Sequence, residues 1–573
     1  MIRGALVQGI TAVAVEVEIA FGPGSAFQIV GLGKPAVQES RERLRHAFAA
    51  SGFSWPTQSI TVNLAPADIP KEGTSLDLAI ALGILERDGQ IQRMGSQTVY
   101  AIGELGLDGN LRPCRGALCI ARAIPDGSIL VAPEGNRYEL ALLRLAKGAR
   151  KDFSPHTVSS LSQSADVVRG KYAHLATARL EELKPAWHQG VDYADIKGQE
   201  RAKRALVVAA AGGQDLLLIG PPGEGKSLLA KALPTILPRL TPSEMVELTT
   251  IYSARGALAS SNSVVAHRPF RPIHHTASPA SVVGGGTGYP VPGEITLAHK
   301  GVLFMDELPE FSPRLLETLR QPMEDGEILL TRARGSARYP CEFILVAAMN
   351  PCACGFDGEY ACKSCRARWP SGAAVCPVCQ SDQKASRCTC APAQVQSYRN
   401  RISGPIMDRI ELKVRVGALT AEERFGAGSK ESSQVVGKRV EAARQLQKQR
   451  FGDDSTISVN ARIPGGQVNR YCELDASALA AMREVASRVA QMTTRGHDAL
   501  LKVARTVADL NNSRCIYRKH IVEAADLCDH KEVRDFLAAR GEAVSCPGCG
   551  SEVDGSDRFC RQCGRAIGKP VAE

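Results

Sequence analysis

Residues 216–227 read LLLIGPPGEGKS, an apolar run that breaks into G-x-x-x-x-G-K-S, and few folds accommodate that succession. Consecutive aliphatic residues bounded by glycine and proline are what a strand buried on both faces of a parallel sheet requires. Gly220, Gly223 and Gly225 let the chain curl so that backbone N–H groups surround phosphates, and Pro221, Pro222 and Glu224 complete the loop. Lys226 then reaches the β- and γ-phosphates. Ser227 offers its hydroxyl to Mg²⁺ at the start of SLLAKAL, a helix whose positive dipole end faces the anion. The expectation is an α/β nucleotide-binding domain that takes ATP and Mg²⁺.

A phosphate cradle alone hydrolyses nothing, so a second acidic segment is needed. GVLFMDELPEF (301–311) is another buried-strand pattern, ending in Asp306 and Glu307. An apolar run before Asp-Glu is weak evidence in isolation, because many strand ends carry solvated carboxylates. Behind a phosphate loop it reads as the metal-shell aspartate followed by the glutamate that polarises the attacking water. EFILVAAMN (342–350) is a third strand whose terminal Asn350 would point an amide at the γ-phosphate and the water. Taken alone, Asn350 before Pro351 is a turn residue.

These pieces, in this order, resemble the AAA+ ATPases and, within them, the magnesium-chelatase-like ComM/YifB family. The resemblance rests on DIKGQERAKRAL (195–206), HHTASPASVVGGG (274–286), PGEITLAHKGVLFMDELPEF (292–311), AAMNPCACG (347–355), SGPIMDRIEL (403–412) and RGHDALLKVARTVADL (495–510). YAIGELGLDGNLRP (100–113) extends it toward the N-terminus. It implies a multidomain α/β chain: a Lon-protease-like α+β domain over 1–165, a linker over 166–192, an AAA+ core over 193–415 with a Cys-rich insertion at 351–391, and a helical lid over 416–535. A zinc ribbon at 540–573 falls outside the family core. In the resemblance, Arg409 matches the arginine finger that enters a neighbouring subunit's ATP site, which implies a ring, a homo-hexamer, and Arg495 matches the second sensor. The bland alternative for either is an ion pair, with Asp408 or Asp498. The N-terminal domain carries Ser75 where the Lon fold places a catalytic serine, but residues 103–123 contain no lysine to activate it. Ser75 is therefore read as a helix-start residue.

Cysteine spacing carries a separate signal. Cys546, Cys549, Cys560 and Cys563 form C-x₂-C-x₁₀-C-x₂-C, a zinc-ribbon pattern. Between Asn350 and the SGPIMDR segment stand Cys352, Cys354, Cys362, Cys365, Cys376, Cys379, Cys388 and Cys390. The inner C-x₂-C pairs (Cys362, Cys365, Cys376, Cys379) read as a ribbon inserted between the outer C-x-C pairs (Cys352, Cys354, Cys388, Cys390), which resemble the family's own four cysteines. Spacing leaves other partitions of these eight open. About three Zn²⁺ sites are expected, each thiolate set lowering the net charge by about two. The formal +10 thus falls to roughly +4, so global basicity argues little for nucleic acid. Aromatics at 5% argue against broad base-stacking platforms. No apolar stretch reaches membrane length and no secretory leader pattern opens the chain, so a cytoplasmic protein without membrane contact is expected.

EILLTRARGSARYPCEFIL (327–345) reads as two strands joined at Arg334-Gly335-Ser336 and looks like the pre-sensor hairpin of ring helicases. In a ring it would project Arg332, Arg334 and Arg338 into a central pore as phosphate contacts without base readers, solvated arginines being the bland reading. Two functions follow. The resemblance implies an ATP-dependent hexameric motor on duplex or branched DNA, a branch-migration helicase of recombination or natural transformation. The alternative is a protein-remodelling or metal-chelatase-type ATPase.

Overall fold

The computed structural model describes residues 2–30, 39–67, 69, 71, 74–144, 155–171, 190–258, 264–286, 289–332, 335–365, 368–369, 375–376, 378–419, 421–425, 431–452, 457–488, 492–530, 533–534, 543–545 and 552–554. The 166–192 linker falls mostly outside these residues, as do Arg334 and the four cysteines of the terminal ribbon.

The phosphate-loop domain is a five-stranded parallel sheet in the order Phe270–Ile273, Val302–Met305, Ile344–Met349, Leu216–Ile219, Leu412–Arg415. Successive side chains alternate between its faces. Leu216, Leu218, Val346, Ala348, Leu412 and Val414 face one way, into a core shared with the helices Glu200–Gly212 and Lys226–Ile236. Leu217, Leu303, Leu345 and Ala347 face the other, over Ile295, Phe311 and Leu315. The continuous hydrophobicity of these strands is the consequence of being covered on both sides.

The C-terminal helices Ser433–Phe451, Thr494–Leu510 and Arg518–Leu527 complete the first of those cores through Val440, Leu500, Val507 and Ile521. A buried polar network pins them. Arg505 and Arg450 both pair with Asp509, and Thr506 accepts from Gln214 Nε2 at 2.8 Å and from Asn460 Nδ2 at 3.0 Å. Asp509 is fully paired within it, whereas the buried Gln214 Oε1 is left without a partner, a cost the network carries.

The N-terminal domain is a seven-stranded mixed sheet in the order Phe27–Val30, Ser59–Ala65, Thr11–Gly22, Ile2–Gln8, Val99–Ala101, Ile129–Pro133, Pro155–Val158. The helix over SLDLAIALGIL begins at Asp77 with Leu76 in the capping position, so Ser75 lies in the turn before it. This domain rests on the phosphate-loop domain. Cys119 Sγ donates to the Thr250 carbonyl at 3.4 Å and Arg115 Nε to that of Ala254 at 2.5 Å, both on the helix Pro242–Arg255. Glu139 closes the seam: it is 1% exposed and accepts from Ser253 Oγ, from Asn136 Nδ2 at 2.6 Å and from the Leu118 N–H at 3.3 Å.

Candidate active site

The loop after Ile219 leaves the sheet between the strands Ile344–Met349 and Leu412–Arg415, and its glycines are each there for a reason. A Cβ at Gly220 would stand 2.1 Å from the Val416 carbonyl oxygen, so only glycine fits. Gly223 and Gly225 adopt φ of 81° and 83°, where a side chain would be strained, and nothing lies within 4 Å of the Cβ position at either. The loop is an open cradle rather than a packed turn. It delivers the chain into the helix Lys226–Ile236, whose N-terminus has no side-chain cap, so its first N–H groups are free to meet an anion.

Lys226 is nearly buried, and its ammonium donates to the carbonyls of Gly220 at 2.7 Å and Pro221 at 2.8 Å and to Asn350 Oδ1 at 3.1 Å. Burial lowers its pKa, opposed by Asp306, Glu224 and Glu307. Ser227 Oγ donates to Asp306 Oδ2 at 2.8 Å. A hydroxyl and a carboxylate at that separation are the hard oxygen donors that suit Mg²⁺, which when bound would neutralise charge between the β- and γ-phosphates. Glu307 follows with a φ of 54°, a left-handed conformation that costs a non-glycine residue about 1 kcal/mol, and its N–H donates to Asp306 Oδ1 at 3.0 Å. Its carboxylate is half-exposed, 3.5 Å from His275 Nδ1. His275 stands just beyond the strand Phe270–Ile273 and packs against His274, the ring centroids 4.2 Å apart and the planes tilted by 32°. The sequence marked this histidine only as part of a family motif; no spacing rule ties it to Glu307.

Arg409 and Arg495 stand elsewhere. Leu412 pairs with Leu216 in parallel register, so Arg409 precedes the sheet at the edge opposite the phosphate loop, roughly 13 Å away along a four-residue strand. Both arginines converge on one carboxylate: Arg409 Nη2 on Glu324 Oε2, and Arg495 Nη2 on Glu324 Oε1 at 3.2 Å. The pairs with Asp408 and Asp498 are not what holds them. Arg409, ahead of an opposing burial effect, holds Glu324 below the usual carboxylate range. Both arginines line a cavity of about 720 Å³ that also takes in Arg462, Lys502, Asp215 and Glu411. Asp215 and Glu411 are buried together there, burial first and then each other's proximity raising Asp215 well above the ordinary range. Nothing in the sequence around Glu324 signalled this role, because the contacts are made across 85 and 171 residues.

The eight insertion cysteines fall into two groups whose ligand atoms lie within 4.8 Å of one another: Cys352, Cys354, Cys388 and Cys390, and Cys362, Cys365, Cys376 and Cys379. This is the nested partition. Sulfur separations of 3.3–3.7 Å in the first group, and of 3.4 and 3.6 Å in the second, approach the ~3.8 Å edge of a tetrahedron with ~2.3 Å metal–sulfur bonds. Four sulfurs without a carboxylate or imidazole form a donor set for zinc rather than for Mg²⁺ or Ca²⁺.

The hairpin pairs Glu327–Arg332 with Gly335–Pro340. Arg332 and Arg338 are exposed, but Arg338 is engaged by Glu327 at 2.6 Å, while Arg332 Nη2 reaches the Gly284 carbonyl at 3.5 Å. Among the described residues no helix is long and apolar enough to cross a membrane.

Comparison with known proteins accords with this geometry. The magnesium chelatase subunit ChlI family matches residues 192–373 and 370–424, with its N-terminal model matching 15–136 and its C-terminal model 430–527. The chain is 37% identical to the YifB protein of Salmonella typhimurium over 91% of its own length and 95% of the relative's. It is 35% identical to the competence protein ComM of Haemophilus influenzae, over 90% and 94%. It belongs to the magnesium-chelatase-like ComM/YifB family. The 38 kDa magnesium-chelatase subunit of Cereibacter sphaeroides is a more distant relative of this ComM/YifB chain, 28% identical over 28% of it and 52% of the subunit.

Proposed function

We propose that the chain is an ATP-hydrolysing motor that works as a ring of identical subunits, six in number, and moves branched or duplex DNA through its centre. The observation that carries the ATPase reading is the meeting of Lys226 with Asn350 and of Ser227 with Asp306 at one mouth of the sheet. Lys226 would bind the β- and γ-phosphates, Ser227 and Asp306 would hold Mg²⁺, and Asn350 with Glu307 would orient and polarise the water. Arg409 and Arg495, at the opposite edge, would serve the neighbouring subunit's phosphates, and their distance from the chain's own phosphate loop supports action in trans.

The DNA reading is supported by the relative named for competence and by the exposed arginines at the hairpin. Action on a protein or in metal insertion is the second reading, favoured by the matches to magnesium-chelatase subunits over all three regions of the chain. ATP hydrolysis measured with a branched duplex and with an unfolded protein separates them. Stimulation by the branched DNA is expected; stimulation by the protein alone would sink the DNA motor.

A further inference from the structure

The first thiol group is built into the nucleotide site. Cys352 follows Asn350 by two residues, and Asn350 Oδ1 accepts from Lys226 at 3.1 Å. The turn Cys352–Gly355, closed by the Gly355 N–H on the Cys352 carbonyl at 3.0 Å, lies on the phosphate loop. A Cβ at Gly355, whose φ is 85°, would stand 2.8 Å from Pro222 Cδ. Arg399 braces the same turn by donating to the Pro351 carbonyl at 3.2 Å and to Asp357 at 2.6 Å, and the Asp357 N–H donates to Cys352 Sγ at 3.3 Å. The second thiol group has no such contact with the phosphate loop among the described residues. Without an ion, four crowded sulfurs have no reason to stay within 4.8 Å of one another, and metal binding at such sites is itself ordering energy.

We propose that the centre formed by Cys352, Cys354, Cys388 and Cys390 is a metal-dependent buttress of the ATP site: a zinc-type ion there keeps the Cys352–Gly355 turn seated on Pro222 and Asn350 seated on Lys226. The centre formed by Cys362, Cys365, Cys376 and Cys379 is independent of nucleotide. This rests on the ATP reading above. Asn350 is then positioned by the metal centre, and displacements on the order of 1 Å at such groups cost about 100-fold in turnover.

The test uses the full chain. Bound zinc and the affinity for a fluorescent ATP analogue are measured for wild type, Cys390→Ser, Cys390→His and Cys379→Ser. Cys390→Ser and Cys379→Ser should each lose one zinc per chain, but only Cys390→Ser should weaken nucleotide binding, by about tenfold or more. Cys390→His, which keeps a zinc ligand, should restore both zinc and affinity. Stripping wild type with a strong zinc chelator should weaken binding equally, and Zn²⁺ but not Mg²⁺ should recover it, an arm that holds even where Cys390→Ser fails to fold. Zinc loss from the first centre with unchanged affinity overturns the proposal, as does an equal loss in Cys379→Ser. A wild-type chain that holds its zinc and binds no nucleotide would instead overturn the ATP reading.

Discussion

At Glu307 a carboxylate is aimed by a backbone that glycine would adopt more cheaply, with φ at 54°. Strain of this kind, about 1–3 kcal/mol, persists where surrounding structure over-determines it, and here the Asp306 carboxylate does so by accepting the Glu307 N–H. Removing the charge while keeping the shape isolates its chemistry: Glu307→Gln should bind ATP at near wild-type affinity and lose turnover by about 100-fold or more. Lys226→Ala should lose nucleotide binding itself, since among the described residues no other ammonium bonds to Asn350 in that mouth. Equilibrium binding and steady-state hydrolysis on both variants check the division, and appreciable turnover in Glu307→Gln would move the water to another base. Lys226, Ser227 and Asp306 were legible because a contiguous loop and a strand end carry them. The His275 contact with Glu307 was not, since it depends on which strands become neighbours.

At the scale of elements, the strands were readable from apolar runs, and the helices from three-to-four spacing, because burial on both faces or on one stripe leaves that trace. Strand order was not, since neighbouring strands such as Ile344–Met349 and Leu216–Ile219 are separated by over a hundred residues. The parallel direction of Leu412–Arg415 sets Arg409 at the far edge, and Arg495 joins it there through Glu324. If they act on a neighbour, Arg409→Ala subunits mixed with Lys226→Ala subunits should hydrolyse ATP faster than either alone, at interfaces pairing an intact loop with an intact finger. Demonstrated mixed rings with no recovery would put the finger elsewhere. The seam between the helices Ala117–Ala123 and Pro242–Arg255 makes a different prediction. Burial raises Glu139 from 4.5 to about 6, against the hydrogen bonds of Ser253, Asn136 and Leu118. A carboxyl raised on folding is protonated more in the native state, so this term favours the folded state below pH 4.5 and is lost as pH rises through 6. Glu139→Gln should therefore gain about 2 kcal/mol relative to wild type between pH 4.5 and 7, read from urea midpoints at the two pH values. A difference that stays constant with pH would remove Glu139 from the seam's energetics.

For the whole molecule, the hairpin is where the N-terminal domain meets the phosphate-loop domain. The turn after the strand Ile2–Gln8 lies over it: a Cβ at Gly9 would be 3.3 Å from both Ala337 Cβ and the Tyr339 hydroxyl, and Tyr289 donates to the Ser336 carbonyl at 2.7 Å. Tyr339 is fully buried, so one face of the hairpin is fixed by packing while Arg332 and Arg338 stand exposed on it. The sequence showed the ribbon and not its cover, which is made by the Gly9 turn more than three hundred positions away and by Tyr289, 47 positions from Ser336. The cover and the Arg338–Glu327 pair rank the arginines. An arginine already neutralised by a carboxylate releases few counterions from DNA, so Arg338→Ala should leave the salt dependence of binding nearly unchanged. Arg332→Ala and Arg334→Ala should each flatten the slope of log affinity against log salt by about one unit, equally on every sequence. Basal ATP hydrolysis should survive all three changes because none of these side chains belongs to the nucleotide shell, while DNA-stimulated hydrolysis should fall with Arg332 and Arg334. Salt-titrated binding to a branched duplex, run beside hydrolysis assays on the same preparations, measures both. Retained DNA stimulation in the Arg332→Ala/Arg334→Ala double variant, at an unchanged salt slope, would take the hairpin out of the DNA path.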